Sequence, residues 1–161
     1  VDDVTPEELR AVGLFGGLSD DVLEFFCAST TTSLFQAGDE VFRENEPGTA
    51  IFVVLQGSLE LTRRSREGVE VRLAGVGPGE WFGEVGLLDM KPRAFTVRSL
   101  SASALLPISS ALLNNLYRRD LKAYTLLVLN IAREMCRRLR VVDEQLVECR
   151  AAGADVGARC G

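Results

Sequence analysis

The sequence predicts an α+β domain: an antiparallel β roll set between N-terminal helices and one long C-terminal helix. Three observations carry this reading. Residues from about Thr31 to Ile108 alternate apolar and polar side chains at period two, with Gly and Pro turns between short runs. The residues before them carry helix-start signals. After Pro107 the apolar period becomes helical and holds to about Cys149. The 161 residues suffice for one domain with its own core. The expected divisions are a helical segment over 1–30, a roll over 31–108, C-terminal helices over 109–149, and an unstructured tail over 150–161.

The elements follow in order. In "VTPEEL", Thr5 caps a helix, Pro6 suits its first position and Glu8 completes a capping box. In "LFGGLSDDVLEFFCAS", Ser19 reads as an N-cap, and Asp20 and Asp21 suit the positive end of the helix dipole. Leu23 and Phe26 are expected to face inward, with Cys27 beside them. Six strands are expected, over "EVFRE", "AIFVVLQ", "SLELTRR", "VEVRLAGV", "AFTVRSL" and "ASALLPI". "AGD", "EPG", Gly57, "REG" and "GPG" supply the turns. Ser109 then caps one helix and Asp120 the long one. Val128, Ala132, Met135, Leu139, Val142, Leu146 and Cys149 step by fours and threes along it, a heptad seam suited to a homodimer. The basic runs "RRSR" at 63–66 and "RRLR" at 137–140 read as solvated faces.

Composition excludes several functions. The chain has no His, so the usual general base and the usual partner of a Ser or Cys nucleophile are missing, and no enzyme is expected. Its four cysteines lack metal-ligand spacing, so neither a metal nor a cofactor is expected; they read as reduced thiols of a cytoplasmic protein. The net charge of −5 argues against a nucleic-acid surface, and no apolar run reaches the roughly 20 residues of a membrane span.

The chemistry concentrates in "FGEVGLLDMKPRAFTV", residues 82–97. Gly83 and Gly86 allow close backbone approach, and "EVGLLD" gives a short helix whose free amides can hold an anion. Pro92 ends it, and Arg93 offers a planar, permanently charged fork for a phosphate. Glu84 accepts hydrogen bonds only, so it suits a hydroxyl beside that phosphate. Phosphate and hydroxyl together describe a sugar phosphate or nucleotide. A structural Glu84–Arg93 ion pair fits the same residues, and the two readings stay open on this ground.

The segment "FGE…PRA" resembles the phosphate-binding cassette of the cyclic-nucleotide-binding domain family, which includes bacterial catabolite activators, protein kinase A regulatory subunits and cyclic-nucleotide-gated channels. "AGDEVFRENEPGTAIFVVLQGSLEL" and "LFGGLSDDVLEFF" resemble that family's first half-roll and helical entry. The likeness runs over about residues 10–148. It implies a β jelly roll and a regulatory module without catalysis. Glu84 and the Gly83 amide would hold the ribose 2′-hydroxyl, Arg93 the cyclic phosphate, and the amides of Gly86 and Ala94 would complete the cradle. Ala94, where a Thr would favour cGMP, implies cAMP ahead of cGMP. Phe95 departs from the family's small residue and would modify the pocket, by filling it or by turning into the core. The implied output runs through the long helix to a dimer or a downstream protein partner of unknown identity. No DNA-binding domain is expected in the thirteen residues after Glu148, so the chain reads as a stand-alone sensor or as a fragment of a larger protein. The alternative is a degenerate binding fold acting as a ligand-independent dimeric scaffold.

Overall fold

A computed structural model describes residues 4–158, with side chains through 152. Eight antiparallel strands form two four-stranded sheets, flanked by N-terminal helices and followed by a long C-terminal helix. Helix α1 (Pro6–Arg10) starts on the expected capping box: Thr5 accepts from the Glu8 amide, and the Glu8 carboxylate accepts from the Thr5 amide at 2.8 Å. A 3-10 turn (Gly13–Phe15) leads into α2 (Asp20–Ser29). Ser19 has N-cap dihedrals but makes no side-chain cap bond.

The first sheet has the order β1 (Ser33–Phe35), β8 (Ser103–Ser109), β3 (Ala50–Gln56), β6 (Trp81–Phe82). The second has the order β2 (Glu40–Phe42), β7 (Thr96–Ser99), β4 (Leu59–Arg64), β5 (Glu70–Val76). The period-two pattern anticipated six of these strands. It missed β1 and β6, which are three and two residues long and too short to show alternation.

Alternation along the strands splits the core. Ile51 and Val53 of β3, with Leu106 and Ile108 of β8, face the helices and join Leu23, Phe26, Leu116 and Leu127. Val54 and Leu105 face the roll interior with Phe42, Leu61, Phe82 and Val97. Each such side chain contributes about 2 kcal/mol on burial, so the shared strands β3 and β8 bind roll and helices into one unit.

Helix α4 (Ser110–Arg119) is capped by Ser109, whose hydroxyl accepts from the Leu112 amide at 3.1 Å. Asp120 caps the next helix by accepting from the Ala123 amide at 2.9 Å. That helix, α5, runs from Leu121 to Ala158, 38 residues or about 57 Å at the usual rise. It continues beyond Cys149, so the tail expected to be unstructured is helical as far as Ala158. Ala151 and Ala152 favour the helix enough to extend it. The rest of that expectation, and Cys160, lie outside the described residues.

Helix α5 carries two stripes. Ala123, Leu127, Asn130 and Ile131 are buried on the domain itself. The amide of Asn130 donates to the carbonyls of Leu14 and Gly16 at 3.1 and 2.9 Å, riveting the helix to the 3-10 turn. The predicted seam lies on another stripe. Met135 packs partly on the domain's own core, whereas Leu139, Val142 and Leu146 are exposed. No helix among the described residues is long and apolar enough to cross a membrane.

Candidate functional site

The segment 82–97 folds as β6, a tight turn, helix α3 (Glu84–Leu88), a loop and the start of β7. Gly83 caps α3 with φ of +90°, a conformation costly for any side chain. A Cβ there would also lie 2.7 Å from Arg93 Nη1 and 2.9 Å from the Ala50 carbonyl oxygen. Gly86 is needed for a different reason: its Cβ would meet the Lys91 carbonyl oxygen at 2.9 Å. Its amide, third in the helix, has no intrahelical acceptor.

Glu84 and Arg93 are both buried, at 3% and 5% exposure. They do not form the direct ion pair considered from the sequence. Arg93 Nη1 donates to the carbonyls of Ala50 and Gly83, both at 2.9 Å. Its Cζ stands 4.1 Å over the Phe42 ring, a cation–π contact inside the roll. The backbone of Arg93 is pinned as well: its amide donates to Glu46 O and its carbonyl accepts from Asn45 N, each at 2.8 Å. Gly48 makes room for the side chain, since a Cβ there would overlap Nε, Cζ and Cδ of Arg93. Burial presses the guanidinium pKa down from its ordinary value, against the opposing pull of Glu46 and Glu84.

The ion pair of Glu84 is with Arg138, from the middle of α5: Nη1 to Oε1, 2.9 Å. Arg138 Nη2 also donates to the Trp81 carbonyl at 2.6 Å, and its Nε reaches Glu134 at 3.2 Å. "RRLR" is therefore not wholly a solvated face. Arg137 and Arg140 are exposed, but Arg138 turns inward to the cassette. Nothing in the run itself marks which of its three arginines does so. Burial raises the Glu84 pKa, and Arg138 opposes it without cancelling it.

Two buried polar atoms remain without partners here, Glu84 Oε2 and Arg93 Nε. Leaving such atoms unpaired is costly. Phe95 is half-buried and packs against the roll core with Phe42, Phe82 and Val97. Ala94 is half-buried between it and Arg93. Among the described residues no grouping of metal-ligating side chains occurs.

A profile described as "Cyclic nucleotide-binding domain" matches residues 33–120, more than half of the chain, and spans roll, cassette and α4. The chain belongs to the cyclic nucleotide-binding domain family. Cyclic nucleotide-binding domains of this kind are binding modules rather than enzymes.

The chain is 32% identical over 138 residues to the Cyclic AMP receptor protein of Thermus thermophilus, covering 86% of this chain and 62% of that protein. It is 28% identical over 95 residues to a CRP-like cAMP-activated global transcriptional regulator of Mycobacterium tuberculosis, covering 42% of it. The chain thus spans less than two thirds of these relatives. Among solved structures, the Thermus thermophilus Catabolite Activator Protein superposes with a TM-score of 0.73 at 31% identity, over 83% of this chain and 61% of that one. The N-terminal domain of a transcriptional regulator from Streptomyces coelicolor A3(2) gives 0.72 at 33% identity, over 81% and 94%.

Proposed function

We propose that the domain binds cAMP in preference to cGMP and passes the binding event to α5, which forms a homodimer. Glu84 Oε2 accepts from the ribose 2′-hydroxyl beside the Gly83 amide. Arg93 holds the cyclic phosphate with the amides of Gly86 and Ala94. The observation that carries this reading is the pair of buried, oppositely charged groups nine residues apart in chain order, each with an unpartnered polar atom. An anion with a neighbouring hydroxyl would satisfy both. The cAMP-related names of relatives at about 30% identity support the same ligand. Ala94 favours cAMP, having no hydroxyl to offer a guanine. Arg138 links the site to α5, and Leu139, Val142 and Leu146 beyond it form the exposed seam.

Calorimetric titration with cAMP and with cGMP, of wild type beside Arg93→Ala, tests this. The expected result is saturable binding, tighter for cAMP, lost in the variant. Equal affinity in Arg93→Ala would remove Arg93 from the site.

A specific observation favours a second reading, the ligand-independent scaffold. The Arg93 guanidinium is already engaged by two carbonyls and the Phe42 ring, and Phe95 packs on the cluster that holds Phe42. On that reading wild type gives no heat with either nucleotide, and Phe95→Ala gains binding.

A further inference from the structure

Arg93 lies in the loop before β7, outside every strand, so no sheet ladder fixes its backbone. Two hydrogen bonds to the turn over residues 43–46 do so instead: Asn45 N to Arg93 O and Arg93 N to Glu46 O, each at 2.8 Å. That turn does not hold its own shape for free. Asn45 sits at φ of +69°, in the left-handed region that a residue with a side chain enters at a cost. Its outside anchors converge on Glu44. The Glu44 amide donates to Thr96 Oγ1 at 3.0 Å, which ties the turn to β7. The carboxylate accepts from the Arg64 amide at 3.1 Å and from Arg63 Nε at 3.3 Å, which ties the turn to the end of β4. β7 stands between β2 and β4 in the sheet, so the Glu44 side chain bridges two strands that are not neighbours.

We propose that Glu44 is a positioning residue for the phosphate site. It fastens the 43–46 turn to the ends of β4 and β7, and the turn holds the backbone of Arg93 where its guanidinium meets Ala50, Gly83 and the ligand. Glu44 itself touches no ligand. The inference rests on the assignment of Arg93 to the phosphate and adds the residue that keeps Arg93 in place. The same sheet supplies a comparison that separates this role from plain sheet stability. Glu60 of β4 is 19% exposed against 17% for Glu44, and it pairs with Arg72 and Arg98 at 3.6 and 3.7 Å. Among the described residues it makes no hydrogen bond or ion pair to the turn. Both carboxylates bind arginines on the sheet, but Glu44 alone of the two is joined to Arg93.

The test compares the full chain with Glu44→Ala, Glu44→Gln and Glu60→Ala, by two readouts. The first needs no nucleotide. Hydrogen exchange at the amides of Asn45 and Arg93, the donors of the two cross-bonds, should quicken about tenfold in Glu44→Ala while the amides of β3 keep their protection. Glu60→Ala should leave both amides as they are. The second readout is calorimetric titration with cAMP. Glu44→Ala should bind about tenfold more weakly than wild type, and Glu44→Gln, which keeps one acceptor oxygen, about threefold. Glu60→Ala should bind as wild type does. Glu44→Gln keeps the test informative if the alanine variant fails to fold. Where wild type binds, unchanged affinity in the Glu44 variants overturns the inference, and so does an equal loss in Glu60→Ala. If wild type binds no nucleotide, the assignment of Arg93 fails by itself. The exchange data then decide the placement of Arg93, and wild-type protection at Asn45 and Arg93 in the Glu44 variants overturns it.

Discussion

Arg138 on the last helix stands 2.9 Å from Glu84 at the start of the cassette helix, although 54 residues separate them in sequence. This pair is the direct electrostatic tie between α5 and the cassette. It also decides which Glu84 oxygen is free: Oε1 belongs to Arg138, and Oε2 is buried and unpaired. The helix expected to transmit the signal therefore touches the group expected to receive the ligand.

Arg138→Gln should accordingly weaken both fold and binding. Glu84 would keep its burial and lose its countercharge. Stranding a buried charge costs several kcal/mol, and the partial exposure of Arg138 reduces this to about 2 kcal/mol, or about 6 °C in melting temperature. The chain's single tryptophan, Trp81, reports the change, since its carbonyl accepts from Arg138 and its ring lies 5.9 Å from the Arg138 Cζ. Acrylamide should quench Trp81 more readily in the variant. A melting curve and quenching profile like wild type would mean that the pair carries no weight in solution.

The raised pKa of Glu84 sets a pH dependence with a definite sign. Burial makes the folded domain hold this proton more tightly than the unfolded chain does. The ionised group therefore costs stability above its raised pKa. Stability returns as pH falls from there towards the ordinary 4.5 of a glutamate. Glu84→Gln cannot titrate. Between neutral pH and about 4.5, wild type should gain stability relative to Glu84→Gln on acidification. Denaturant titrations of both proteins across that range measure it. A constant difference, or one of opposite slope, would show that Glu84 is not held in a desolvated setting.

Much of this arrangement was legible in the sequence, for identifiable reasons. β3 is a seven-residue run rich in β-branched and large apolar side chains, and Thr5, Ser109 and Asp120 cap helices with their side chains, so local chemistry marked those elements. Gly83, Glu84 and Arg93 stood out because glycines, a carboxylate and a guanidinium rarely share so short a span without use. Arg138 did not stand out. Its role depends on how far α5 passes the end of the roll and at what rotation, which is a tertiary quantity. The Gly48–Arg93 contact was hidden for the same reason: Gly48 read as a turn residue, whereas its missing side chain is space that Arg93 fills.

That contact makes Gly48→Ala a sharper probe of Arg93 than its size suggests. The new methyl would overlap the middle of the guanidinium, so Arg93 must leave its hydrogen bonds to Ala50 and Gly83. A cost of about 2 kcal/mol is expected from overpacking and lost bonds together. Nucleotide binding should fall at least as far as in Arg93→Lys, although residue 48 bears no ligand group. Thermal melts and calorimetry on the two variants compare them. Wild-type affinity in Gly48→Ala would show that Arg93 can leave this position and still serve the site.

The last prediction concerns how α5 is held. Asn130 is 8% exposed, and its amide hydrogen bonds to the carbonyls of Leu14 and Gly16 fasten the helix to the 3-10 turn, while its Oδ1 accepts from Arg133 at 3.1 Å. Asn130→Leu keeps the volume and strands both carbonyls, which should cost about 2 kcal/mol. Asn130→Asp should cost more, because it sets a buried carboxylate against two carbonyl oxygens. The effect should be local as well as global. Hydrogen exchange in both variants should rise first in residues 13–18 and the facing turns of α5, with β3 and β8 following only at the limit of global unfolding. If the 3-10 turn stays as protected as the central strands, α5 is anchored by its apolar stripe alone, and Asn130 is a spectator to the coupling between helix and roll.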